Sequence, residues 1–220
     1  MKNNLLVIAS IALLTLVSTS VSAQMKNSAT PNDTKVKNIL NTALSKIKAA
    51  PAISFDATVV SKDPDKKEAS RQKVKVLLSG NKYRLDIDGS LVLCDDKAMY
   101  QIDNSTKEVT VNALADSETD IFNPAKLLNN YDKNFRPKLI REENTQYVID
   151  MTPRKTQNFH KIRLLINKTS YQITKVEVYY YNSSRNECTI SNYKTNTQAT
   201  AADFSYDATK YKGYEVIDMR

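Results

Sequence analysis

Residues 77–112 alternate apolar and polar side chains in short runs, each broken by a turn signal. Tyr83, Leu85 and Ile87 alternate with Arg84, Asp86 and Asp88, and Asp88-Gly89-Ser90 turns the chain. Leu91 and Leu93 alternate with Val92 and Cys94 before a second turn at Asp95-Asp96-Lys97. Residues 99–102, the turn Asp103-Asn104-Ser105 and the pair Val109 and Val111 continue the pattern. Period-2 runs this short, with turns between them, predict a consecutive antiparallel meander. A meander with one apolar face needs a cover for that face. What covers it is the question that bears on function.

The same signature flanks the meander. Residues 53–61 and 71–78 predict two further strands, joined by a charged hairpin tip over 62–70. Residues 137–141, 146–152, 161–167, 172–181 and 187–192 predict more strands, and 215–219 a closing one. Val36, Ile39, Leu40, Ala43, Leu44 and Ile47 recur at helical spacing instead, behind a cap at Asn32 or Asp33 and before Ala50-Pro51. A short second helix is expected after Asn123-Pro124, with Leu127, Leu128 and Tyr131 as its apolar face. Its place amid strands suggests a plug or lid. A further short helical or turn segment is expected over 201–207. Many strands at short, regular spacing argue for a barrel or a strongly curved sheet.

The N-terminus reads as an export signal. Lys2 is followed by an apolar core over residues 5–17 and by the small-residue site Val21-Ser22-Ala23. The apolar core is short for a membrane span. Cleavage after Ala23 is expected, leaving residues 24–220 as one domain in an extracytoplasmic compartment. No cysteine follows the cleavage site, so a lipid-modified N-terminus is not expected. The formal charge of +8 comes from scattered lysines, without a basic stripe interleaved with aromatics. A solvated basic surface explains it, an anionic membrane or acidic partner is the alternative, and nucleic acid is not expected. Cys94 and Cys188 are the two cysteines. An oxidising compartment permits a disulfide between them; the other reading is two buried cysteines acting as small hydrophobes.

Catalytic and metal-binding patterns are missing from the sequence. His160 is the only histidine, and no partners stand at a spacing that would make a zinc site or a triad of it. Three glycines leave no Gly-rich phosphate loop. Asp86/Asp88 and Asp95/Asp96 flank turns, where aspartate has a local backbone role. No catalytic residues, metal or cofactor are therefore assigned. The positive signal is apolar: a curved sheet with one apolar face and small helices across it encloses either a lipid cavity or a filled core. Periodicity does not separate the two.

Several segments resemble one family. Gly80-Asn81-Lys82-Tyr83-Arg84-Leu85, Leu93-Cys94-Asp95-Asp96-Lys97, Tyr100 and Glu108-Val109-Thr110-Val111-Asn112 are similar in order and spacing to LolA-type periplasmic lipoprotein carriers, in forms found in Bacteroidetes-like bacteria. Asn123-Pro124-Ala125-Lys126 with Tyr131 and Phe135 resembles that family's mid-chain helix. Asp203-Phe204-Ser205-Tyr206 and Gly213-Tyr214-Glu215-Val216-Ile217-Asp218 resemble its closing segment. The resemblance implies a mainly β fold with some α: an unclosed antiparallel β-barrel, with an N-terminal helix and short lid helices enclosing a hydrophobic cavity. It implies transport of acylated lipoproteins from an inner-membrane ABC-type releasing complex towards the outer membrane and a possible acceptor there, by a monomer without catalysis.

Combined with the strand patterns, the resemblance suggests Phe55, Val76, Leu78, Tyr83, Leu85, Ile87, Leu91, Leu93, Ile149, Leu164, Val178 and Tyr180 as cavity lining. Ile121, Phe122, Leu127, Leu128 and Tyr131 are the expected lid. Many relatives carry an Arg-Pro pair just before the strand of Tyr83, and that arginine latches the lid. Here the stretch is Ser79-Gly80-Asn81-Lys82, so Lys82 or Arg84 would have to substitute. Asp96, Lys212 and Tyr100 stand where relatives often have glycine, proline and tryptophan. The same architecture also suits a glycolipid carrier or a sensor of mislocalised lipid. An exported hydrolase using Asp86 or Asp95 is the third possibility.

Overall fold

The computed structural model describes residues 31–66, 68–114 and 124–220. The expected export segment, the expected cap at Asn123, and Ile121 and Phe122 lie outside the described residues. Helix α1 (Pro31–Ala49) comes first. It starts earlier than expected, so Asn32 and Asp33 lie in its first turn. A proline suits that position, because its missing N–H is one that a helix start leaves unbonded. Val36, Ile39, Leu40 and Ala43 are buried along one stripe, while Lys35, Lys37, Lys46 and Lys48 stay exposed. Asp33 in the first turn and Lys46 and Lys48 in the last complement the helix dipole.

Six strands follow: β1 (Ile53–Lys62), β2 (Ser70–Ser79), β3 (Lys82–Ile87), β4 (Ser90–Cys94), β5 (Met99–Asp103) and β6 (Glu108–Asn112). Two short helices come next, α2 (Pro124–Leu128) and α3 (Tyr131–Asn134). Five strands succeed them: β7 (Phe135–Glu142), β8 (Gln146–Pro153), β9 (Phe159–Asn167), β10 (Ile173–Tyr180) and β11 (Arg185–Lys194). Two 3-10 turns, Ala201–Asp203 and Ala208–Tyr211, lead to the closing strand β12 (Glu215–Asp218).

All twelve strands form one sheet in the order β12-β6-β5-β4-β3-β2-β1-β11-β10-β9-β8-β7. The sheet is not closed into a barrel: β12 and β7 are its two edges. Two antiparallel meanders, β1 to β6 and β7 to β11, are joined where β1 pairs antiparallel with β11. Among the named strands the exception to antiparallel pairing is β12, which lies parallel to β6. Strands β6 and β7 sit near opposite edges, and Leu128 and Tyr131 from the connection between them pack on the inner face. That connection carries α2 and α3.

Register sorts the side chains into two faces. Phe55 lies opposite Val76, Val76 opposite Leu85 and Leu85 opposite Val92. On the other meander Ile149 lies opposite Leu164, Leu164 opposite Val176 and Val176 opposite Cys188. Both rows belong to one buried cluster, completed by Val36, Ile39, Leu40 and Ala43 of α1 and by Leu128 and Tyr131. This is the inner face. The outer face of β4 to β6 carries a second cluster, Leu91, Leu93, Ala98, Ile102, Val109 and Val111, against which Tyr206, Tyr211 and Tyr214 of the C-terminal segment pack.

Candidate functional site

The inner face gathers most of the residues singled out from the sequence. Phe55, Val76, Leu78, Tyr83, Leu85, Ile149, Leu164 and Val178 are buried in its cluster, and Ile87 and Tyr180 pack half-buried against it. Each comes from a strand whose alternate residues face inward, so the placement follows from strand period alone. Met151, Ile162, Ile166, Val176, Val92 and Cys94 share the face and were missed. The same period would have found Ile162, Ile166 and Val176.

Leu91 and Leu93 are corrections: they face outward, in the second cluster. Every residue of the run Leu91-Val92-Leu93-Cys94 is apolar, so alternation does not choose a face. The turn chooses it. Asp88 and Gly89 both adopt positive φ, 36° and 92°, as a tight two-residue hairpin turn requires. That turn pairs Ile87 with Ser90, which sets Val92 opposite Leu85 and Cys94 opposite Tyr83.

The cysteines are also placed. Cys94 on β4 and Cys188 on β11 are both free and buried, with three strands between them in the sheet. Neighbouring strands lie about 4.8 Å apart, so the pair stands well beyond the Cα separation a disulfide tolerates, about 7 Å. Burial pushes the Cys188 thiol up to about 12 and raises that of Cys94, as expected of inert packing groups.

The inner face is covered by helices. Leu85, Ile149, Leu164 and Leu128 have no exposed surface, so a ligand on this face needs α1, α2 or α3 to move. Polar contacts hold these helices from several sides. The Tyr131 hydroxyl donates to Asn41 Oδ1 at 3.1 Å, joining α3 to α1. Lys126 Nζ stands 5.5 Å from the ring centroid of Tyr83, joining α2 to the sheet. Arg154 Nε donates to the carbonyls of Asp132 and Phe135 at 2.9 and 3.0 Å, tying α3 to the end of β8. Helix α1 is tethered by Lys35, paired with Glu142, and by Lys46 Nζ, 3.0 Å from the Ser170 carbonyl.

The substitute latch expected at Lys82 or Arg84 is corrected for Arg84. Its guanidinium lies on the outer face, bonded to Asp86 through two 3.0 Å contacts. A cation between the short helices and the sheet comes from α2 instead: Lys126, over the ring of Tyr83. Next to the helices, one end of the inner face is less tightly sealed. Phe135 and Phe159 stack there at 6.5 Å, half-buried, at the starts of β7 and β9, with Tyr180 opposite Phe159.

One member of each carboxylate pair has a local structural role. Asp86 binds Arg84, and Asp95 Oδ1 accepts from the backbone N–H of Lys97 and Ala98 at 2.9 and 3.0 Å. The His160 ring meets the exposed ring of Tyr181 in a tilted contact, centroids 5.5 Å apart. Among the described residues no group of His, Cys, Asp and Glu side chains is assembled to hold a metal ion. No helix among them is long and apolar enough to cross a membrane.

Comparison with known proteins places this architecture. No curated protein matches the chain in sequence. An uncharacterized conserved protein from Thermus thermophilus superposes with a TM-score of 0.56 at 13% identity, over 84% of this chain and 99% of that one. A LolA superfamily protein from Nitrosomonas europaea gives 0.46 at 16% identity, over 79% and 98%. A putative outer membrane lipoprotein-sorting protein domain from Vibrio parahaemolyticus gives 0.47 at 12% identity, over 81% and 99%. The model of the family described as outer membrane lipoprotein carrier protein LolA matches residues 46–207, from the end of α1 through the 3-10 turn at Ala201–Asp203. With an open twelve-stranded sheet and an N-terminal helix laid on its apolar face, the chain belongs to the LolA family.

Proposed function

We propose that this chain is a periplasmic carrier that takes up the acyl chains of lipoproteins against its inner face and shuttles them from the inner to the outer membrane. One observation carries the reading: a continuous apolar face spanning both meanders is covered by α1, α2 and α3, which reach it partly through exchangeable polar contacts. Family membership supports it. Each buried methylene is worth about 0.8 kcal/mol, so a multiply acylated protein does not leave a bilayer unaided. A soluble carrier must offer an equivalent apolar environment and still release it. Hydrocarbon contacts are non-directional, so one face accepts many cargoes. When acyl chains replace the helices on the sheet, apolar burial is exchanged rather than lost, and the step stays reversible.

In this reading residues 24–220 act as a single monomeric domain after removal of the signal peptide, and no chemistry is performed on the cargo. Cargo comes from an inner-membrane ABC-type releasing complex and passes to an outer-membrane acceptor. The test is depletion of the protein in cells, followed by membrane fractionation. Lipoproteins should accumulate at the inner membrane, and the wild-type protein should restore sorting. A Leu128→Asp variant, confirmed as folded by circular dichroism, should fail to restore it, because a carboxylate at a fully buried position disrupts the apolar cover. Normal sorting in depleted cells would sink the proposal.

A further inference from the structure

The outer face holds a feature that acyl transport leaves unused. A groove of about 850 Å³ crosses β1 to β3, and a second of about 480 Å³ adjoins it, sharing Asp56, Lys75, Arg84 and Asp86. Asn192 and Lys194 of β11 form one wall. Asp203 and Tyr211 of the C-terminal segment form the other. Register aligns Asp56, Lys75 and Asp86 in a row across the floor. Each groove is of the size that small-molecule sites occupy, about 300 to 1,000 Å³.

Formal charge in the groove balances, with Lys73, Lys75, Arg84 and Lys194 against Asp56, Asp86, Asp88 and Asp203. Bonding does not balance. Asp56 Oδ2 accepts from Asn192 Nδ2 at 2.6 Å, Asp86 accepts both bonds from Arg84, and Asp203 Oδ2 accepts from the Thr200 backbone N–H and hydroxyl at 2.7 and 2.9 Å. Lys73, Lys75 and Lys194 have no ion pair or hydrogen bond from their ammonium groups among the described residues. Three of the four acids are thus engaged by the chain's own donors, while three ammonium groups stand ready for an external acceptor. The engaged carboxylates keep spare lone pairs, which accept hydroxyl groups. Tyr211 adds an aromatic wall, half-buried in a ladder of rings with Tyr206 and Tyr214.

We propose that this groove binds an anionic sugar, a polyhydroxylated ring bearing a phosphate. The lysine ammonium groups would hold the charge, the carboxylates the ring hydroxyls, and Tyr211 the ring's apolar face. The groove lies across the sheet from the acyl-binding face, so the two can be tested apart. The experiment is calorimetric titration of the full mature protein with glucose 1-phosphate, with glucose and inorganic phosphate as comparators. Phosphatidylcholine vesicles doped with phosphatidylinositol present related chemistry on a lipid headgroup. Saturable binding of glucose 1-phosphate or of the doped vesicles is expected, weakened about tenfold in Lys75→Ala and by added salt. Glucose and inorganic phosphate should each bind at least about tenfold more weakly. Which of the two ligands binds identifies the source of the sugar phosphate, and either supports the site. Binding of a hydrophobic dye to the inner face should be unchanged in Lys75→Ala. No saturable binding of either ligand, equal binding of inorganic phosphate, or an unaffected Lys75→Ala variant would overturn the proposal.

Discussion

Glu187 on the outer face of β11 is within ion-pair distance of Lys62, Lys175 and Arg185, with its side chain 13% exposed. Burial alone favours its neutral form. Hydrogen bonds from Lys175 and Lys62, with the charges of Lys175 and Arg185, outweigh that and lower the carboxyl from 4.5 to about 2. A carboxylate held below its unfolded value stabilises the fold above that unfolded value and ceases to do so as pH falls through the folded one. The contribution should therefore be intact at neutral pH and disappear between about pH 4.5 and 2. Glu187→Gln should lower stability at pH 7 by about 2 kcal/mol, between the cost of breaking an exposed pair and that of breaking a buried one. Denaturant unfolding across this pH range should show wild type and variant converging towards pH 2. A gap that stays constant with pH would assign the loss to packing instead.

At the scale of the element, the turn at Asp88 and Gly89 decides which half of β4 faces inward. Gly89 sits at φ 92°, a backbone conformation that side chains with a Cβ adopt only under strain, although no heavy atom crowds the position where that Cβ would stand. Gly89→Val should therefore cost about 1–3 kcal/mol through the backbone alone, read as a drop in the midpoint of urea unfolding. A cost near zero would mean that the turn does not hold the register. This hairpin also marks the limit of what the sequence could disclose. The strands from β1 to β11 and the stripe of α1 were legible, because period 2 and period 3.6 are written in side chains that either meet water or do not. The face of β4 was not legible: Leu91, Val92, Leu93 and Cys94 are all apolar, and a C-terminal segment more than a hundred residues away covers the side that would otherwise meet water. Likewise β12 was legible as a strand, but nothing in Glu215–Asp218 states that it pairs in parallel with β6. One short helix was expected after Pro124; Asn130, at φ 53°, divides it into α2 and α3, and the docking on α1 through Tyr131 and Asn41 joins residues ninety positions apart. Partners that distant leave no local pattern.

For the molecule as a whole, the proposed carriage would require the helices on the inner face to hold firmly enough to protect it and weakly enough to yield to cargo. A contact made only in the closed state adds to folded stability and subtracts from cargo affinity, because binding must first break it. In the proposed carrier the Tyr131 hydroxyl would make such a contact, 3.1 Å from Asn41 Oδ1, while its ring remains buried in the cluster. Tyr131→Phe removes the bond and keeps the ring. One neutral hydrogen bond is worth about 1 kcal/mol net, so the unliganded variant should lose about that much in denaturant unfolding. Affinity for a synthetic triacylated lipopeptide should rise about fivefold, the same free energy expressed in the opposite direction. Opposed signs distinguish a closure contact from a merely structural one, which would weaken folding and binding together. Lipopeptide titration of the two proteins decides between them: unchanged or reduced affinity in Tyr131→Phe would show that cargo reaches the inner face without parting α3 from α1.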